Sequence, residues 1–150
     1  MWWTCEKVKR YWTHVGEIIK EIIQQKINFK PEIALLNIMS EITDKKIKYC
    51  LMYILVAARL LWAQKWKSEE IPTMEEILKK LLDIAELGTL LEALRKQPRD
   101  YVKQSWNLIH TYINLYWHLI TVRKIDNVTR EVKRGKVKTE VGRDGDYGFS

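Results

Sequence analysis

The chain has 150 residues, 47% of them hydrophobic, which suits one domain with a real core, and its formal charge of +7 admits a polyanionic partner without specifying one. The longest nearly unbroken apolar run, Tyr49 to Ala58, ends at Arg59. That is well short of the roughly 18 residues a membrane span needs, and the opening lacks the basic-then-apolar pattern of a secretory signal.

Helical periodicity begins at once. Val8, Tyr11, Trp12, Val15, Ile18, Ile19, Ile22 and Ile23 recur at three and four residues and build one apolar face. Thr4 is placed to cap that helix, which should end near Gln25. Pro31 suits the first turn of a short helix, "PEIALLNI", where its missing N–H costs nothing. A second long helix is expected from about Asp44 to Lys67, with Ile47, Leu51, Ile54, Leu55, Ala58, Leu61 and Trp62 inward. Its middle is apolar nearly all round, which assigns it to the centre of a bundle. In "IPTMEE", Thr73 and Glu76 have capping-box spacing, so the third long helix starts there and should run to Gly88 as a C-cap. A brief helix, Leu90 to Lys96, stops before Pro98. The last runs from about Arg99 to Ile120 or slightly beyond, presenting Tyr101, Val102, Trp106, Ile109, Ile113 and Tyr116.

These elements predict an all-α fold, an irregular bundle of four to five helices over residues 1–124. The segment 125–150 holds four of the six glycines. Two descriptions fit it, a flexible tail and a weak hairpin pairing Val128, Arg130 and Val132 with Val137, Thr139 and Val141 across "RG". No internal repeat is present.

Catalytic signatures are missing from the sequence: no P-loop, dinucleotide fingerprint, HExxH or nucleophile motif. His14, His110 and His118 are scattered over helical positions and read as structural or surface residues. Glu69, Glu70, Glu75 and Glu76 flank a helix start, where carboxylates favour the positive end of the dipole. Cys5 and Cys50 read as free thiols in a reducing, intracellular compartment, cytoplasmic or nuclear. No enzymatic site and no cofactor are expected. More informative is the interleaving of Lys7, Lys9 and Arg10 with Trp2, Trp3, Tyr11 and Trp12, repeated in Trp62, Lys65, Trp66 and Lys67. Cations neutralise phosphates and exposed rings stack on unpaired bases, so this mixture is the candidate nucleic-acid surface. Tyr11 and Trp12, on the apolar face, are claimed by packing first.

Three stretches taken together, "WWTCEKVKRYWTHVGEII", "FKPEIALLNI" and "LVAARLLWAQKWKSEEIPTMEEILKKLLDIAELGTL", resemble the carboxy-terminal region of the second-open-reading-frame protein of vertebrate LINE-type retrotransposons. The resemblance runs from Met1 to about Ile113. It is most specific in the Trp2–Trp3–Thr4–Cys5 start and in the passage from Lys65–Trp66 to Pro72–Thr73. That family's protein carries an endonuclease, a reverse transcriptase and a cysteine-rich terminal segment implicated in RNA binding. The resemblance implies that Cys5 is the last ligand of a C-x3-C-x7-H-x4-C motif whose His would fall immediately before Met1. One thiolate cannot make a tetrahedral zinc site, so no metal is expected and Met1 would be an internal residue of the ancestral frame. The family's catalytic regions would lie upstream.

The resulting expectation is a truncated retrotransposon fragment without catalysis, with residual non-specific affinity for RNA or single-stranded DNA. Lys7, Lys9 and Arg10 would hold phosphates, Trp2 and Trp3 would stack, and Lys65 and Lys67 would contribute next. The alternative expectation is a helical protein-interaction or homo-oligomeric module, self-associating through the exposed aromatic edge around Trp2 and Trp3, with no membrane role.

Overall fold

The computed structural model describes residues 4–135, and among them every regular element is a helix. In chain order these are α1 (Glu6–Ile23), α2 (Pro31–Leu36), α3 (Lys45–Lys65), α4 (Met74–Ala93) and α5 (Asp100–Lys133). The chain divides into two compact units between Asn114 and Leu115, inside α5.

The first unit is organised around α3, which packs against α1, α2 and α4. Being covered on several sides is what an all-round apolar helix requires. Its 21 residues would be long enough to cross a bilayer by length and composition, yet Cys50, Leu51, Ile54, Leu55, Ala57 and Ala58 are fully buried inside the protein. α1 lays down the whole apolar face expected of it, from Val8 to Ile23. Tyr11 lies flat on Trp62 with ring centroids 5.0 Å apart, and its hydroxyl donates to the Ala58 carbonyl oxygen at 2.7 Å. Burial pushes the Tyr11 phenol well above its ordinary pKa, with the Glu76 carboxylate adding in the same direction.

Helix ends follow local chemistry. The Asp44 carboxylate accepts from the Lys46 N–H at 2.8 Å and starts α3. Thr73 and Glu76 close a complete capping box at α4: Glu76 N–H donates to Thr73 Oγ1 at 3.3 Å, and Thr73 N–H to Glu76 Oε2 at 2.9 Å. Arg59 reaches from α3 to the end of α2, donating to the carbonyls of Ala34 and Leu35 at 3.2 and 3.0 Å and to Asn37 Oδ1 at 3.2 Å. It thereby satisfies carbonyls that a helix of only six residues leaves without partners. Between α4 and α5, Glu92 Oε1 accepts from the Arg99 backbone and Nε at 2.8 and 3.1 Å, while Arg99 donates onward to the Tyr49 hydroxyl at 3.0 Å. The guanidinium also lies over the Tyr49 ring, 5.1 Å from its centroid. This clamp fixes the turn against α3.

Four expectations need correction. The N-cap of α1 is Cys5, not Thr4, and it makes no side-chain capping bond. Gly88 is not a C-cap. α4 runs straight through it, absorbing most of the separate helix expected over Leu90–Lys96, because Gly88 is where Trp106 crosses α4. A β-carbon there would stand 2.3 Å from Trp106 Cζ2, so the position needs a residue without a side chain. The last helix extends far beyond Ile120, to Lys133. Residues 125–133 are therefore helix, neither hairpin arm nor flexible tail, and the supposed hairpin turn at "RG" is a helix stop. Gly135 has φ of +69° and donates to the Val132 carbonyl. A left-handed glycine ends a helix as readily as it turns a hairpin. The partner arm, Val137 to Val141, lies outside the described residues.

Candidate nucleic-acid interface

The Lys7 ammonium donates to the Ser68 carbonyl oxygen and sits 5.7 Å from the centroid of the Trp62 ring. This contact brings Lys7, near the start of α1, beside the segment that follows α3. The structure sorts the expected residues into two groups. Lys7 is half-buried and committed to closing α1 onto the segment after α3. Lys65 is ion-paired with Glu76, the same carboxylate that completes the capping box. Hydrogen bonding from Lys65, and then from the Thr73 backbone, holds the Glu76 carboxyl below its ordinary pKa. Both lysines are thus structural before they are available to phosphate.

Lys9, Arg10 and Lys67 remain exposed. Lys9 stands 3.9 Å from Glu6 one turn away, an exposed pair that offers little resistance to a competing anion. Arg10 makes no hydrogen bond or ion pair among the described residues. Lys67 lies over the ring of Trp66, 5.3 Å from its centroid, and Trp66 is 61% exposed. Trp66 belongs to the basic-aromatic mixture read from the sequence but was not among the residues singled out to stack, and it is the exposed ring of that stretch. Its signal was available: it stands one turn beyond the buried Trp62, just past the last residue of α3, where no neighbouring helix need cover it. Tyr11 and Trp12 are buried, as packing required. Trp2 and Trp3 lie outside the described residues.

The surroundings temper the charge of this surface. Glu69 and Glu70 follow Ser68 and are exposed, so the free cations share their neighbourhood with carboxylates. Such an arrangement supports weak phosphate contact and argues against a high-affinity track.

Elsewhere the constellations are structural. His14 and His118 are exposed and His110 is half-buried. Among the described residues, no group of three or more His, Cys, Asp or Glu side chains could hold a metal ion. Cys5 is exposed, and burial pushes the Cys50 thiol up to about 12, with Lys46 pulling it slightly back. Hydrogen bonds from Arg99 hold the Glu92 carboxyl down to about 2. A cleft of about 450 Å³ lies between residues 25–33 and 38–47, crossed by the Lys30–Glu41 pair at 3.3 Å. A second, of about 360 Å³, runs beside Trp106 between the end of α4 and the start of α5.

Family models, curated proteins and solved structures contain no match to this chain.

Proposed function

We propose that the chain is a helical module, a fragment of a retrotransposon polyprotein, that contacts RNA or single-stranded DNA weakly and without sequence preference. Catalysis is not part of this reading. The observation that carries it is Trp66, exposed and flanked by Lys67, with Lys9 and Arg10 exposed on α1. A ring and a few cations together are the minimum equipment for gripping an unpaired strand.

The test is binding of a labelled single-stranded RNA across a salt series. Three available cations set a slope of about −2 in log affinity against log salt, so affinity falls about 20-fold between 50 and 200 mM. Trp66→Ala should cost about 1–3 kcal/mol of affinity. Lys9→Ala with Arg10→Ala should flatten the salt slope, whereas Lys7→Ala and Lys65→Ala should lower stability more than binding. No binding at low salt, or binding indifferent to Trp66, would sink the proposal.

A second reading, a helical interaction module with no nucleic-acid role, is favoured by one observation. Leu87, Leu90, Leu91 and Leu94 are all more than half exposed and share one side of the end of α4. Association through them would strengthen with sulfate instead of weakening with salt.

A further inference from the structure

Among the described residues, the indole Nε1 of Trp106 is the one buried side-chain nitrogen or oxygen without a hydrogen-bond partner. A donor in that position has given up water and gained no acceptor in return, which is destabilising. Cε2, the ring carbon bonded to Nε1, would stand 3.1 Å from a β-carbon at Gly88, so the N–H lies where α5 meets α4. Thr89, the next residue of α4, and Trp106 itself both line the cleft of about 360 Å³ that opens at this junction. An acceptor can be brought to the N–H from there.

The rest of the lining says what should carry that acceptor. It is mainly apolar, with Ala93 and Pro98 contributing beside the indole. Its charges cancel: Glu92 is paired with Arg99, and Lys103 is offset by Asp100 one turn earlier on α5. Nothing there selects an ion. The size is at the small end of ligand clefts, which run from roughly 300 to 1,000 Å³. The walls are also set in advance, because the Glu92–Arg99 clamp fixes the turn and Tyr53 stacks on the indole with centroids 4.0 Å apart.

We propose that this cleft, between the end of α4 and the start of α5, binds a small, uncharged, mainly apolar molecule whose carbonyl oxygen accepts from Trp106 Nε1. Lys65 pairs with Glu76 at the other end of α4, so the site does not rest on the nucleic-acid surface around Trp66, and either can fail alone.

The test is an NMR titration of the isotope-labelled full chain with acetophenone, reading the indole N–H peak that Trp106→Phe removes. That peak should move downfield as the N–H gains an acceptor, with a dissociation constant on the order of 1 mM for so small a ligand. α-Methylstyrene has the same shape with a methylene in place of the carbonyl oxygen, and it should not produce the downfield shift. In Trp106→Phe, read at the backbone amide of Thr89, affinity for acetophenone relative to α-methylstyrene should fall about 3- to 10-fold, the worth of one hydrogen bond. Benzoate, with a charge the cleft does not call for, should bind more weakly than acetophenone. Ala93→Trp, which fills the mouth from an exposed position, should abolish binding while leaving the urea midpoint in place. An unmoved Trp106 peak, the same movement with both ligands, tighter binding of benzoate, or binding that survives Ala93→Trp would overturn the proposal.

Discussion

Replacing Gly88 by alanine separates two accounts of that residue. At an exposed mid-helix position the change would stabilise by about 1 kcal/mol, since glycine is the poorer helix former. Here the new methyl group would lie 2.3 Å from Trp106 Cζ2, closer than real carbon contacts allow, and a tight 3.1 Å from Cε2. The indole has little room to retreat. Trp106 is 5% exposed, and its other neighbours include Tyr53, stacked on it with centroids 4.0 Å apart. Overpacking of this kind costs about 1–3 kcal/mol. After the helix-propensity gain of about 1 kcal/mol, a net loss of up to about 2 kcal/mol should remain, read as a lower urea midpoint. The decisive arm is the same substitution in a Trp106→Leu background. With the indole gone, Gly88→Ala should become neutral or stabilising. A stabilised single variant, or a penalty that persists without the indole, would refute the close approach of Trp106 to α4.

Three further outcomes follow from the packing and the ion pairs. Arg99 lowers the folded-state pKa of Glu92 to about 2, so the stability that this carboxylate contributes is complete above its unfolded value of about 4.3 and is lost as pH falls towards 2. Thermal melts from pH 6 to pH 2 should show that acid limb, and Glu92→Gln should flatten it. A disulfide reagent should titrate Cys5 in the native protein and Cys50 only after denaturant is added, because burial both covers the Cys50 thiol and holds it protonated. Arg59→Ala should cost about 1.5–3 kcal/mol through the lost charged hydrogen bonds to Ala34, Leu35 and Asn37. Backbone amides of α2 should then exchange with solvent faster than those of α4.

Legibility tracked how local each determinant is. The face of α1, the buried side of α3 and the Thr73–Glu76 box were readable because each is a spacing within one helix. Gly88 misled because its reason lies eighteen residues along the chain, in Trp106, and a glycine near a helix end has two equally good local explanations. Gly135 misled in the same way, as a break whose type depends on what precedes it. The basic residues could be nominated from sequence, but commitment is a tertiary property. Only the fold shows that Lys7 bonds Ser68 and Lys65 bonds Glu76, while Lys9, Arg10 and Lys67 stay at the surface.

The Tyr11–Ala58 bond spans 47 residues of chain, and the Lys7–Ser68 contact spans 61. α1 is synthesised before the helix that covers it. At ribosomal rates of about 5–20 residues per second, its partner surface follows roughly 3–12 seconds later. During that interval Tyr11 and the isoleucines of α1 lack the α3 surface that covers them, while α3 and α4, once made, can pair as adjacent helices almost immediately. The nascent chain is therefore most exposed to chaperones and to self-adhesion at its first helix.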